Sequence, residues 1–132
     1  MTRTVGLFFA AALIAGMTAV FTGTAHACSC VPATEEQAFA RADHVFQGRI
    51  LAKSDEPDQK VRYRVVVSKE RKGDVPRYVS VITEMSSASC GAKLVVGKDY
   101  LVFATGDASD RKVETSLCGG TRRVDRERAC GN

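Results

Sequence analysis

Five cysteines, Cys28, Cys30, Cys90, Cys118 and Cys130, are the residues most able to do chemistry, and they are accompanied by only two histidines, His26 and His44. A cysteine can act as a nucleophile, ligate a metal or form a bridge. Nucleophilic work needs a neighbouring base, and no Ser-His-Asp set, Cys-His pair or Gly-rich phosphate loop is present to supply an enzyme. Zinc ligation is poorly served as well: no Cys-x-x-Cys pair occurs, and His44 is the only histidine beyond the first 27 residues. No intrinsic metal and no cofactor are expected. Disulfide formation remains. Cys28 and Cys30 are two apart, and side chains of an extended segment alternate, so these two are badly placed to bridge each other. Each should reach a separate distant partner. Cys90, in a loop, and Cys118, after the last strand, are the candidates, and the spacing leaves open which pairs with which. Five cysteines cannot all pair internally.

The compartment follows from the amino terminus. Arg3 is the only charge before an apolar run from Val5 to Phe21, and Ala25-His26-Ala27 supplies the small residues of a signal-peptidase site. Residues 1–27 read as a signal peptide cut between Ala27 and Cys28. An uncleaved anchor is the rival, since a spanning helix needs about 20 apolar residues. Lipidation of Cys28 is a second rival, weakened by Ala25 standing where lipoprotein signals usually carry leucine. The expected product is secreted, extracellular or periplasmic, with no stable membrane insertion. Its first residue would be Cys28 with a free α-amino group. Cys28-Ser29-Cys30-Val31-Pro32 would then form an exposed, extended ridge clamped by disulfides.

The elements that hold this ridge read mainly as strands. The chain has 132 residues, with 45% hydrophobic and 26% charged residues and a net charge of +4. That composition fits one globular domain, 28–132, and does not single out nucleic acid as a partner. Thr34 followed by Gln37 is a capping box, opening a short helix that ends near Asp43. Strands are expected over His44–Ala52, Val61–Ser68, Tyr78–Thr83, Tyr100–Thr105 and Lys112–Leu117. Gly48 marks a bulge or sharp bend. Loops are expected at Ser54–Gln59 and Glu84–Gly91. Five short antiparallel strands in a chain this small suggest a closed OB-like barrel with one helix at its start. The stretch from Thr121 to Arg128, four arginines among two acids, reads as a solvated tail or a carboxy-terminal helix.

Cys28-Ser29-Cys30-Val31-Pro32, then Gln37-Ala38-Phe39 and Ala42-Asp43-His44-Val45, resemble the start of the tissue inhibitors of metalloproteinases. Ser86-Ser87-Ala88-Ser89-Cys90-Gly91 is similar to the loop that receives that family's first cysteine. The resemblance implies a netrin-like OB-fold barrel bridged as Cys28–Cys90 and Cys30–Cys118. It implies that the amino nitrogen and carbonyl oxygen of Cys28 chelate the catalytic zinc of a target metalloendopeptidase. Ser29 would enter the specificity pocket, and Cys30, Val31, Pro32, Ser86, Ser87, Ala88 and Ser89 would complete the contact. Two departures stand out. Ala40 occupies the position of a further family cysteine, which leaves Cys130 unpaired and able to link two copies. The second domain of the animal proteins is expected to be absent. An alternative implied by the same fold is a netrin-like extracellular binding or adhesion module with a purely structural Cys-x-Cys staple.

Overall fold

The computed structural model describes residues 28–125. The signal-peptide reading of residues 1–27 and the fate of Cys130 lie outside the described residues. Among the described residues one helix, α1 (Glu35–Arg41), precedes six strands: β1 (His44–Glu56), β2 (Lys60–Lys72), β3 (Tyr78–Glu84), β4 (Asp99–Ala104), β5 (Lys112–Glu114) and β6 (Arg122–Arg123). Single 3-10 turns lie at Ser87–Ser89 and Ala108–Asp110.

Helix α1 starts where its cap dictates. The Thr34 hydroxyl accepts from the Gln37 amide, and the Gln37 side chain accepts in return from the Thr34 amide. Glu35 and Glu36 face the positive helix start. At the other end Lys72 donates to the carbonyls of Phe39 (2.8 Å) and Ala40 (3.3 Å), satisfying acceptors that the helix leaves open. Its ammonium also sits 5.3 Å from the Phe39 ring centroid.

The strands form one sheet in the order β5-β3-β2-β1-β4-β6. Mainly β architecture with one amino-terminal helix is therefore as expected, and four points of the expected fold are corrected. First, the ladder leaves the sheet open, so strand pairing does not make a closed barrel; a single antiparallel bridge, Thr105 with Glu114, links the ends of β4 and β5. Second, β5 runs parallel to β3, not antiparallel. It stops at Glu114 because the chain must turn before Cys118. Third, Ser54–Glu56 is strand rather than loop: these residues pair with Arg62, Val61 and Lys60, and Glu56 forms an ion pair with Arg62. Fourth, the stretch from Thr121 opens as strand, Arg122 and Arg123 pairing with Leu101 and Tyr100 as β6, while residues 126–128 lie outside the described residues.

Side-chain alternation divides the buried residues between two layers. Phe46 and Ile50 of β1 and Tyr100, Val102 and Ala104 of β4 join Val65, Val81 and Val113 in the main core. Val45, Leu101 and Phe103 point the other way and meet Ala38 and Ala42 of α1 in a second cluster, with Val124 packed against it. Residues Tyr100 to Ala104 are thus buried on both faces. Gly48 sits at a register shift in the β1–β2 ladder, where a Cβ would lie 2.7 Å from the Val66 carbonyl oxygen.

The β1–β2 turn is strained. Asp58 and Gln59, in the three-residue loop between Glu56 and Lys60, both have left-handed backbone, φ 61° and 57°. Glutamine has no local hydrogen bond to offset that conformation. Replacing Gln59 with glycine is expected to stabilise the fold by about 1 kcal/mol, read as a higher urea midpoint with an unchanged m-value.

Candidate functional site

The chain from Cys28 to Ala33 has no regular structure, and two separate segments hold it in place. It is bridged to the loop after β3 by Cys28–Cys90 and to the turn after β5 by Cys30–Cys118. The sequence separations are 62 and 88 residues, so both bridges fix distant parts of the chain to the same ridge.

The β3–β4 loop is built to present Cys90. Ser86 caps the 3-10 turn, its hydroxyl accepting from the Ala88 amide at 3.1 Å. The Cys90 and Gly91 amides then donate to the carbonyls of Ser87 (3.2 Å) and Ser86 (2.9 Å), which folds the loop back on itself. Cys90 is left-handed, with φ 65°. Gly91 is needed for the close return: a Cβ there would lie on the Glu84 carbonyl oxygen and 2.9 Å from that of Ser86. Gly91→Ala is expected to cost about 2 kcal/mol through this forced backbone shift. Thermal unfolding measures the loss, and an unchanged melting temperature would refute the close-approach argument.

The Cys118 turn is fastened at both ends. Thr115 donates through its hydroxyl to the Phe103 carbonyl (2.8 Å), and Thr121 accepts from the Phe103 amide (3.0 Å). The two threonine hydroxyls are 2.7 Å apart. The Leu117 amide donates to the Cys90 carbonyl at 2.8 Å, joining the Cys118 turn to the Cys90 loop. At the centre the two bridges touch, with Sγ of Cys28 and Sγ of Cys118 3.6 Å apart.

Ser29, Cys30, Val31 and Pro32 are exposed, as are Ser86, Ser87, Ala88 and Ser89, whereas Cys28 and Cys90 are partly buried. The bridges bring these two segments to one side of the molecule. Val31 is 82% exposed, an apolar side chain in water that no neighbour covers. Leu117, 48% exposed, lines a surface depression with Cys30, Val31, Pro32 and Cys118. Sequence reading missed Leu117 because it looked like the end of a buried strand; its position beside Cys118 was the available signal. Met85 is exposed as well and immediately precedes the Ser86 loop. No charged residue occurs from Cys28 to Thr34 or from Met85 to Ala92. The ridge is thus neutral, partly apolar and held by covalent bonds. It can fill a cleft, and it offers no acid–base pair for catalysis. Among the described residues, the metal-ligating groups that lie together are the sulfurs of Cys28, Cys90 and Cys118, within 4.8 Å of one another.

Two disulfides thus staple a neutral ridge to a small sheet. The family model described as tissue inhibitor of metalloproteinase matches residues 26–126. Metalloproteinase inhibitor 3 of Gallus gallus is 36% identical over 107 residues, covering 77% of this chain and 50% of that protein. Metalloproteinase inhibitor 2 of Homo sapiens is 31% identical, over 71% of this chain and 47% of its own. The tissue inhibitor of metalloproteinase of Drosophila melanogaster is 35% identical, over 68% and 46%. The chain belongs to the tissue inhibitor of metalloproteinase family, and it spans about half the length of the curated relatives it matches. Those relatives are named as inhibitors, not enzymes. Among the described residues no helix is long and apolar enough to cross a membrane.

Proposed function

We propose that the protein is a secreted, extracellular inhibitor of zinc metalloendopeptidases, acting through the ridge Cys28–Pro32 and the loop Ser86–Ser89. The observation that carries this reading is the double anchoring of the ridge by Cys28–Cys90 and Cys30–Cys118, with exposed Ser29 between the two bridged residues. Removal of residues 1–27 leaves domain 28–132 with a free amine on Cys28. A catalytic zinc keeps one coordination position for water. The Cys28 amine and carbonyl displace that water, and Ser29 enters the adjoining pocket. The exposed apolar side chain of Val31, with Pro32, supplies contact area beside the metal. Because the bridges already order the ridge, little conformational entropy is lost on binding. The partner is a zinc metalloendopeptidase; no cofactor, catalytic residue, nucleic acid or membrane insertion enters the reading.

Titration of the processed protein, with Cys28 confirmed as an unblocked first residue, against a panel of zinc endopeptidases tests the proposal. Stoichiometric inhibition of at least one member supports it. No inhibition of any, with an intact free amine, overturns it in favour of a netrin-like binding module.

Acidification is expected to weaken inhibition. Zinc ligation requires the neutral amine, whose ordinary pKa is about 7.7–8.0. Below that range each unit of pH raises the proton's competition with the metal about tenfold. Inhibition constants measured from pH 8 to 6, on an enzyme stable throughout, should rise; constants that fall steadily would exclude amine ligation.

A further inference from the structure

The chain entering β4 turns sharply at Val95-Val96-Gly97-Lys98. The Lys98 amide donates to the Val95 carbonyl at 3.2 Å, and Gly97 takes the left-handed backbone that the turn needs, φ 86°. Neighbouring groups hold this turn firmly. The Tyr100 hydroxyl accepts from the Val95 amide (2.9 Å), and the Tyr63 hydroxyl accepts from the amide of buried Leu94 (3.3 Å). Strand β1 adds two hydrogen bonds, from the Gly97 amide to the Ile50 carbonyl (2.8 Å) and from the Ile50 amide to the Lys98 carbonyl (3.0 Å). They bring Leu51 to the turn, at the register shift between Ile50 and Ala52. Val95, Val96 and Leu51 are 52%, 48% and 42% exposed. A Cβ added at Gly97 would meet no atom of the described residues within 4 Å, so the turn stands clear of its surroundings.

The two segments that meet here, Arg49 to Ser54 and Ala92 to Lys98, contain Arg49, Lys53, Lys93 and Lys98 and no acid. The three lysines are exposed, and so is Arg64, across the ladder from Ala52. Two acids stand at the margin. Asp99 is held by Arg49 at 2.8 Å, and Asp125 follows Val124, whose amide donates to the Asp99 carbonyl. The patch keeps a positive excess around its aliphatic tip. A second copy of the chain would set lysine against lysine. A protein partner is usually gripped by aromatic and arginine anchors seated in pockets, and this tip is convex and aliphatic. A bilayer with anionic headgroups suits both features. The valine and leucine side chains enter the boundary between headgroups and acyl chains, and the lysine stems lie along it with their ammonium groups at the phosphates. We propose that Val95–Lys98, with Leu51, is a docking surface for anionic phospholipid bilayers, a shallow and reversible attachment that needs no spanning segment. It stands independently of the inhibitory reading: the turn leads into the Asp99 end of β4, whereas the Cys118 turn is fastened to Phe103, toward the other end.

The test uses the processed, disulfide-bonded protein, Cys28 to Asn132, with vesicles of pure phosphatidylcholine and of an equal mixture with phosphatidylglycerol. The protein should sediment with the mixed vesicles and stay in solution with the pure ones. Lys93→Gln with Lys98→Gln should weaken binding about thirtyfold, and Val95→Ser with Val96→Ser about tenfold or more. Both double variants should melt close to the parent, because all four side chains are exposed. The chain contains no tryptophan, so Val96→Trp supplies a single reporter. Its emission should shift to the blue on mixed vesicles and be quenched by brominated acyl chains. Glu36→Trp, at an exposed position of α1, should show neither change. Failure to sediment with the mixed vesicles, or equal sedimentation with both kinds, overturns the proposal. Binding that the valine variants leave unchanged overturns it as well, since charge attraction alone, of the kind an acidic protein would also give, then accounts for it. So does an unquenched Val96→Trp. A dimer in sedimentation equilibrium that the valine variants dissolve would assign the face to a second copy and overturn the bilayer as its occupant.

Discussion

One alanine added before Cys28 is expected to raise the inhibition constant against a susceptible zinc endopeptidase about a thousandfold or more. That corresponds to about 4 kcal/mol of lost binding. The addition turns the Cys28 amine into an amide, a poor zinc ligand, and places bulk where the metal must sit. The fold should be indifferent, because Cys28 is anchored through its side chain to Cys90 and the residues that follow it are exposed. Thermal melts of the extended and native proteins should therefore coincide. Ser29 provides the contrast. Ser29→Gly keeps the chelating groups and empties the pocket, so inhibition weakens without being lost. Ser29→Arg should be worse against deep apolar pockets, where it would bury an unpaired charge. An alanine-extended protein that inhibits as well as the native one would overturn zinc chelation by Cys28.

The second large effect is on stability. Replacing Cys30 and Cys118 together by alanine removes the bridge with a sequence separation of 88 residues. With Cys28–Cys90 intact, the shortest covalent path between the two positions runs through that bridge, and the effective loop shrinks to about 30 residues. Loop-closure entropy then gives a loss of about 3.6 kcal/mol rather than the ~4.6 kcal/mol of an isolated loop of 88. Against a typical total of about 5–15 kcal/mol, the double variant should stay folded at 25 °C with a much lower urea midpoint. Inhibition should fall too, since Ser29–Pro32 would be tethered only at Cys28 and ordering it on binding would cost free energy. A midpoint within experimental error of the parent would show that this bridge does not constrain the unfolded chain. Lost stability with undiminished inhibition would separate the staple from the ridge and remove rigidity from the functional account.

Local chemistry made much of this molecule legible in its residues. Thr34 and Gln37 specify the start of α1 because a capping box is satisfied within four residues. The alternation of Val61, Tyr63 and Val65 with Arg62 and Arg64 specifies β2 because one face of a strand must be buried and the other wetted. The types and spacing of Cys28, Ser29 and Cys30 establish that each cysteine of an extended amino terminus needs its own distant partner. The tertiary structure decided what depends on long-range placement. The parallel pairing of β5 with β3 and the addition of Arg122–Arg123 to β4 rest on backbone hydrogen bonds between segments far apart in sequence, which side-chain pattern does not encode. Ser54–Glu56 looked like a loop because its residues are polar, yet a hairpin projecting beyond the core needs only its ladder and the Glu56–Arg62 pair to remain strand. The contact of the two bridges at 3.6 Å is likewise a property of the fold alone, set where the Leu117 amide ties one cysteine-bearing segment to the other. Sequence determined which residues could form the ridge; packing of the β3–β4 loop and the turn after β5 determined that they form one.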